Sequence, residues 1–366
     1  MKFIINRESL LLPLQQIVGV IEKRQTMPVL ANVLLVVSDD FLTLTGTDLE
    51  VQIVAKVSVI DSIQGSITVP ARKLLDLCRL LPAQANIMLE QRQEKVQVTS
   101  NRSKFSLSCL PAEHYPEFAE TDMEKQFTIN TGLFKKALEK TIFCMANQDV
   151  RYYLNGLLLN ISNNKLKLVA SDGHRLSIFE DKLSGQTGYE ARIILPRKGV
   201  LELYRLLDHL DAELIVMFSA NNIRIVIDNL IFSAKLVDAK YPDFSKVFQQ
   251  QFFEPINLPK FALKDALTRV AVLANEKFKG VTLAISADTL NISTHNPEHD
   301  EGEEDLAIDY RGEDLTIAFN AQYLLDAVSN LDSDTAVLTI ASNVSSCFID
   351  EPEQNNYKFI VMPMRL

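Results

Sequence analysis

The sequence predicts an α+β protein of three tandem, similar domains, and three recurrences carry that prediction. LTLTGTD at 42–48, LKLVASD at 166–172 and LNISTHN at 290–296 stand 124 residues apart. Each reads as a period-2 strand running into a small polar turn. Behind this motif an amphipathic helix pattern recurs, and a second helix pattern opens each unit.

In the opening pattern Leu10, Leu14, Ile17, Val18 and Ile21 share one helical face. So do Phe134, Leu138, Ile142 and Met145, and then Leu263, Leu267, Val270, Ala271 and Ala274. Asn6 and Asn130 suit N-caps and Pro259 a first helical position, whereas Pro13 is expected to distort the first helix. The later pattern is LLDLCRLL at 74–81 and VLELYRLL at 200–207, offset by 126 residues, each preceded by Pro and a basic pair. NAQYLLDAVSNLD at 320–332 takes that place in the third unit without the pair. Between the helices lie alternating segments such as 51–57, 95–99 and 223–227. Helices on one side of mainly antiparallel sheet follow from this mixture. HYPEF at 114–118 and KYPDF at 240–244 close the first two units, giving domains 1–124, 125–250 and 251–366.

A chain of 366 residues with 47% hydrophobic and 23% charged side chains is long enough for several cores and is neither disordered nor collagen-like. Its apolar runs are short and its N-terminus turns charged within seven residues, so neither a membrane span nor a cleavable signal is expected. Cys78, Cys109, Cys144 and Cys347 form no C-x-x-C pair and read as reduced thiols of a cytoplasmic protein. The net charge of −10 argues against nucleic acid unless a basic surface is localised. It divides as −3, +4 and −11 over the three units, with much of the last in the run Glu298–Asp305. Such a run is a solvated loop or the complement of a basic edge; Arg102, Lys104, Phe105 and Leu107 in the first unit supply one. A first unit meeting a third unit of another copy makes a head-to-tail contact that twofold symmetry can close into a dimeric ring. Basic residues recur on the helices, at Lys23, Arg24, Arg72, Lys73, Arg79, Lys135, Lys136, Lys140, Arg197, Lys198 and Arg205. Solubility explains any one of them; their recurrence suggests helices facing a polyanion, through phosphates and without base reading.

Catalytic motifs are sparse. His295-Asn-Pro-Glu-His299 could hold a metal beside the carboxylates, which leaves a metal-dependent nucleic-acid hydrolase as the alternative reading, although Pro297 disfavours helical ligand geometry. Ser171-Asp172-Gly173-His174-Arg175 places Ser, Asp and His almost adjacent, and a turn that frames a groove is the better reading, since a relay converges from distant segments.

LTGTDLE at 44–50, VPARK at 69–73, QDVRYYLNG at 148–156, SDGHRL at 171–176, PRKG at 196–199, KLVDAKYPDF at 235–244, NEKFKG at 275–280 and the terminal VMPMRL together make the chain resemble the bacterial sliding clamps, the beta subunits of DNA polymerase III. The resemblance spans essentially the whole sequence. It implies the DNA-clamp fold, with helices lining the inside and antiparallel sheets outside, in a head-to-tail homodimeric ring around duplex DNA. It implies a non-catalytic processivity factor without cofactor or metal, whose partners are DNA polymerases, the clamp loader and other clamp-binding-motif proteins, with no membrane. The inner surface alone must then be positive, which reconciles an acidic total with DNA.

By matching motif, the resemblance implies a partner-peptide groove of Arg151, Tyr153, Leu154, Ser171, Gly173, His174, Arg175, Leu176, Pro242, Lys246, Val247, Asn320, Tyr323, Val344, Ser346, Ile360, Met362, Pro363, Met364 and Arg365. Ser171 stands where Thr is usual, Lys246 where Arg is usual and Ile360 where Val is usual. A Met-rich tail broken by Pro363 suits a groove that accepts several peptides; the bland alternative is a final edge strand packed in the core. Implied DNA contacts are Arg24, Arg72, Gln148, Tyr152, Arg197 and Lys198. The implied dimer interface pairs Lys73, Arg102, Lys104, Phe105 and Leu107 with Val272, Leu273, Glu298, Asp300, Glu301, Glu303 and Glu304.

Overall fold

The repeated sequence patterns fold into one repeated order of elements. The computed structural model describes all residues except 23–26, 119–121, 186, 209–210, 354–355 and 366. The first repeat runs β1 (Lys2–Asn6), α1 (Arg7–Val18), β2 (Asn32–Ser38), β3 (Phe41–Thr47), β4 (Val51–Ser58), β5 (Ile60–Ile63), β6 (Gly65–Pro70), α2 (Ala71–Leu80), β7 (Asn86–Arg92), β8 (Lys95–Ser100) and β9 (Ser103–Ser108). The second runs β10 (Lys125–Asn130), α3 (Thr131–Ile142), β11 (Gly156–Ser162), β12 (Lys165–Ser171), β13 (Arg175–Lys182), β14 (Ala191–Pro196), α4 (Arg197–Leu206), β15 (Glu213–Phe218), β16 (Asn222–Ile227) and β17 (Leu230–Lys235). The third runs β18 (Ile256–Pro259), α5 (Lys260–Ala271), β19 (Gly280–Ser286), β20 (Thr289–His295), β21 (Glu301–Ala307), β22 (Leu315–Asn320), α6 (Ala321–Ser329), β23 (Thr335–Ile340), β24 (Cys347–Asp350) and β25 (Tyr357–Val361). Apart from the extra strand β5, the three orders are the same, and the recurring strand motif is β3, β12 and β20.

Compactness divides the chain differently from the repeats. One unit holds Met1–Lys135, Ser184–Thr187 and Lys198–Val237; the other holds Lys136–Leu183, Gly188–Arg197 and Asp238–Leu366. The first contains a five-stranded sheet β5-β1-β7-β8-β9 and an eight-stranded sheet β10-β15-β16-β17-β4-β3-β2-β6. The second contains an eight-stranded sheet β14-β11-β12-β13-β25-β24-β23-β18 and a four-stranded sheet β21-β20-β19-β22. Each eight-stranded sheet is joined across repeats by one antiparallel pair: β17 with β4, from Leu230↔Ala55 to Ala234↔Val51, and β13 with β25, from Arg175↔Val361 to Phe179↔Tyr357.

Helices cover one face of these sheets: α1 packs on α2, β3 and β4, and α5 on α6 and β19 to β21. Leu10, Leu14 and Ile17 are wholly buried. Gly46, the small residue of LTLTGTD, permits the close approach, because a Cβ there would lie 2.3 Å from Ile17 Cγ2. The Asn6 side chain accepts from Glu8 N at 2.9 Å and Asn130 from Gly132 N at 2.8 Å, so both cap as the sequence indicates. Pro259 sits one residue earlier than expected, as the N-cap of α5 and the last residue of β18. Pro13 is accommodated inside a continuous α1, forgoing only its own backbone donor. The apolar periodicity overruns each opening helix by about one turn. There the chain tightens into i to i−3 bonds: Val20 N and Ile21 N, Cys144 N and Met145 N, and Leu273 N and Ala274 N donate to carbonyls three residues back.

Two buried polar groups in the second unit are unlike. The Lys140 ammonium, 4% exposed, is satisfied by the Asp332 carboxylate and the Asn330 carbonyl, both at 2.5 Å. Asp350, at the end of β24, buries Oδ1 without a hydrogen-bond partner, and burial pushes its carboxyl up to about 6 against the opposing pull of Lys358. A raised carboxyl means that the native state holds the proton more tightly than the unfolded chain does. The associated stability is complete below the ordinary carboxylate range and lost as pH rises through about 6. Asp350→Asn is therefore expected to stabilise this unit at pH 8 by at most about 3 kcal/mol and to flatten stability between about pH 4 and 6, measured by denaturant unfolding across pH.

The four cysteines are buried and unpaired. Among the described residues no helix is long and apolar enough to cross a membrane.

Candidate functional site

The turn after the repeated strand is built twice from the same hydrogen bonds. Ser171 Oγ accepts from Gly173 N and donates to the Arg175 carbonyl, while Asp172 Oδ1 accepts from His174 N at 2.9 Å and Arg175 N at 3.0 Å. In the first repeat Thr47 Oγ1 accepts from Leu49 N and donates to the Val51 carbonyl, and Asp48 Oδ1 accepts from Glu50 N and Val51 N. Both turns place their third residue in the left-handed region, Gly173 at φ +87 and Leu49 at φ 81. Ser171 and Asp172 are thus occupied in ordering backbone and are not arranged as a relay to His174.

Only the second copy has glycine at that place, and the gap is used by Arg151: a Cβ on Gly173 would lie 2.6 Å from Arg151 Nη1. Arg151 grips Asp149 through Nε at 3.0 Å and Nη2 at 2.8 Å, and Nη2 also donates to the Asp172 carbonyl. That fork lowers the Asp149 carboxyl to about 2. Beside it the Arg175 guanidinium is held by Asp172 at 3.0 Å and Asp326 at 2.5 Å, lies 4.4 Å from the Tyr323 ring centroid, and is flanked by Phe143. His174 stacks near Tyr323, with centroids 6.4 Å apart. Asn320 caps α6 through Gln322 N and Tyr323 N, which fixes the helix turn that presents Tyr323.

The terminal tail is tied to the same place. Met362 N donates to the His174 carbonyl at 2.8 Å, and Met364 N to the Ala318 carbonyl at 2.7 Å. Leu176 pairs with Ile360 across β13 and β25. Leu154, Leu176, Ile360 and Ser346 are buried. Tyr153, Val247, Met362, Pro363 and Met364 are half-buried, whereas Arg151, His174, Pro242, Lys246, Val344 and Arg365 are exposed. The alternative of a final edge strand does not hold: β25 lies inside its sheet, between β13 and β24, and the half-buried Met362, Pro363 and Met364 follow it. Sequence reasoning missed Asp149, Phe143 and Asp326 here; Asp326 follows Asn320 and Tyr323 at helical i+3 spacing, a signal that was legible.

The candidate nucleic-acid residues behave unequally. Arg24 lies outside the described residues. Gln148 and Tyr152 are exposed. Arg72 donates to the Ile21 carbonyl at 2.8 Å and Arg197 to the Met145 carbonyl at 2.9 Å, which anchors each guanidinium. Lys198 does not present an unpaired charge: Glu22 at 2.5 Å and Asp48 bracket its ammonium. Sequence alone gave no sign of that neutralisation, because both partners lie in the first repeat, far from Lys198 along the chain.

The acidic run is not a simple loop. Glu301, Glu303 and Glu304 lie on β21, an edge strand, while Glu298 and Asp300 precede it. Arg102 precedes and Lys104, Phe105 and Leu107 lie on β9, also an edge strand. Lys73 and Val272 are exposed and Leu273 is half-buried, while Leu107 packs into its own core. Glu304 is held by Arg269 and Glu303 by Asn291. The hydrolase alternative finds no support: the His295 and His299 rings stand 6.1 Å apart, and no metal-holding group of three or more His, Cys, Asp or Glu occurs among the described residues.

Comparison with known proteins gives the same direction over the whole chain. Family models for the N-terminal, central and C-terminal domains of the DNA polymerase III beta subunit match residues 1–119, 128–243 and 246–365. The chain is 43% identical to the beta sliding clamp of Escherichia coli K12, with 100% of both chains covered. Among solved structures, a Pseudomonas aeruginosa sliding clamp bound to griselimycin superposes with a TM-score of 0.96 at 41% identity, and Caulobacter crescentus pol III beta with 0.95 at 30%, both over 100% of each chain. The chain belongs to the DNA polymerase III beta subunit family, the beta sliding clamps.

Proposed function

We propose that two copies of this chain join head to tail, close around duplex DNA, and hold polymerases to it through the groove at Arg175 and the terminal tail. What supports this reading is the arrangement at Arg175: buried Leu154, Leu176 and Ile360, a half-buried Met-Pro-Met tail bonded to the His174 carbonyl, and charged groups already engaged with one another. Such a surface takes apolar side chains of an extended segment and performs no chemistry. DNA polymerases, the clamp loader and other clamp-binding-motif proteins are its partners, and no cofactor enters the function.

The subunit contact is made by the two edges of opposite charge. β9, carrying Lys104 and preceded by Arg102, and β21, carrying Glu301 and Glu303, each leave one side of a sheet unpaired among the described strands. Strand-to-strand pairing of β9 with β21 of a second copy extends both sheets, Phe105 with Val272 and Leu273 supplies apolar anchoring, and the charges set orientation. Three clamp domains, 1–124, 125–250 and 251–366, then contribute to each half of a six-domain ring in the cytoplasm. Arg24, Arg72, Gln148, Tyr152, Arg197 and Lys198 touch phosphates without reading bases. Lys198 does so by exchanging its carboxylates for phosphate.

Topological retention tests this. The protein loaded on nicked circular DNA is expected to stay through a gel-filtration step at high salt and to leave once the circle is cut. Equal loss from circular and linear DNA would sink the ring.

A further inference from the structure

The repeats of one chain are fastened to each other by helix ends. In the first compact unit α4, the second helix of the second repeat, grips the last turn of α1: Arg205 Nη1 donates to the Gln15 carbonyl at 3.1 Å and Nη2 to the Gln16 carbonyl, while Glu202 holds the guanidinium at 2.8 Å. These carbonyls are among those a helix leaves without an internal donor, and the cation also meets the negative end of the α1 dipole. Gly19, the C-cap, gives the guanidinium its room, since a Cβ there would overlap Arg205. In the second unit α6 is fastened likewise to the second repeat: the Asn330 carbonyl and Asp332 take Lys140 in the last turn of α3, and Asp326 takes Arg175. α2 and α5 have no such partner among the described residues. Asp76, Arg79 and Leu80 of α2 stand 126 residues before Glu202, Arg205 and Leu206. Leu206 is 2% exposed, but Leu80 is 84% exposed, and Arg79 reaches Asp76 only loosely, at 3.9 Å. Val272, the C-cap of α5 as Gly19 is of α1, is 77% exposed. Among the large apolar side chains described, only Val150 is more exposed than these two. One such residue is ordinary; two at complementary halves of a contact that the chain makes elsewhere mark an interface.

We propose that α2 of one copy is fastened to the last turn of α5 of a second copy as α4 is to α1, with Arg79 donating to the Thr268 and Arg269 carbonyls and Leu80 packing on Val272. Thr268 and Arg269 precede the C-cap of α5 by the same four and three residues as Gln15 and Gln16 precede that of α1. The proposal rests on the head-to-tail reading above and adds a helix contact to the pairing of β9 with β21. The two surfaces are continuous, because Lys73, already placed at the subunit contact, lies two turns before Leu80 on one face of α2, with Asp76 between them. Leu80 then closes over Val272 from the helix side as Phe105 does from the strand side. Val272 takes space that Gly19 leaves open at the end of α1, so the guanidinium lies beside it, and an apolar pair replaces part of the polar approach. Arg79 thereby leaves the set of helix cations that face a polyanion, as Arg205 does in its bonds to α1.

The test measures dimer dissociation of the full chain, by sedimentation and by energy transfer between labelled copies. Arg79→Ala and Leu80→Ala are each expected to weaken the dimer on the order of tenfold. Arg79→Lys keeps the charge and loses the fork, and should fall between the unaltered protein and Arg79→Ala. Leu80→Ala combined with Val272→Ala should cost less than the two separate losses together, as side chains in contact do. Both α2 side chains are exposed within one copy, so the unfolding midpoint of the dissociated chain should not move, whereas a structural role inside one copy would lower it. Unchanged dissociation in both single variants, additive losses at Leu80 and Val272, or an Arg79→Lys protein that dimerises as tightly as the unaltered one would overturn the contact. If Glu301→Lys with Glu303→Lys still broke the dimer in that event, the head-to-tail reading would stand without the helix contact. An unaltered protein that sediments as a monomer would remove that reading and the helix contact together.

Discussion

Removing residues 362–366 is expected to abolish detectable binding of short apolar partner peptides, a loss on the order of 100-fold, while leaving the dimer intact. Among its described residues the tail adds one isolated bridge, Met364 to Ala318, and no strand, so its loss leaves the sheets in place; it contributes the rim, through the half-buried Met362, Pro363 and Met364. Two backbone anchors, to the His174 and Ala318 carbonyls, hold it in place before any partner arrives. A peptide side chain seated between rim and floor loses water on two sides, and each such side chain is worth about 1.5–3 kcal/mol. Removing the rim exposes about half of each, so two of them lose roughly 1.5–3 kcal/mol, whose upper end is the roughly 2.7 kcal/mol that corresponds to a hundredfold. The edges β9 and β21 are elsewhere in sequence and sheet, so sedimentation should report an unchanged dimer. Peptide affinity that survives the truncation would show that the floor alone binds, and would refute the assignment.

Much of the architecture was legible because its signals are local. The 3.6-residue spacing of Leu10, Leu14 and Ile17 and the alternation in 42–48 each describe one face of one element, and copying them three times fixed the order of elements. The caps at Asn6 and Asn130 were equally local. What remained hidden depends on partners distant in sequence. Nothing in residues 51–55 announces that β4 completes a sheet with β17, so the division into two compact units, each made of parts of neighbouring repeats, could not be read from the repeats. The acidic run gives the clearest physical lesson. Carboxylates at Glu301 and Glu303 read as loop by composition, yet they alternate with Gly302 and Glu304 on a strand whose outward face is solvated and whose free edge charge protects from indiscriminate pairing. Lys198 illustrates the opposite error. A basic residue at a repeated position looked free, and only the fold brought Glu22 and Asp48 to it. The resemblance named the groove residues, but the acids that hold its arginines in place were left out.

Those acids make Arg175 the residue whose loss should be felt most. Its side chain is 13% exposed, bonded to Asp172 from one segment and Asp326 from another, and sandwiched between Tyr323 and Phe143. Arg175→Ala therefore does more than remove a contact. It leaves two carboxylates facing each other without a cation in a poorly solvated place, and removing one partner from such a cluster costs about 3–5 kcal/mol. It also frees the 171–175 turn from α6, so the groove should lose its shape before the unit unfolds. The expected result is a lower unfolding midpoint in denaturant together with loss of peptide binding. Arg175→Lys keeps the charge but cannot bond both carboxylates in the plane of a fork, and should fall between the two proteins on both measures. Arg175→Ala combined with Asp326→Asn removes one of the stranded charges, and should recover part of the stability but none of the peptide affinity, because the tie between the turn and α6 is still missing. That split between the two readouts separates a residue that shapes the groove from one that merely supports the core. If the double variant regained peptide affinity along with stability, Arg175 would be a core residue and the groove would not depend on its guanidinium.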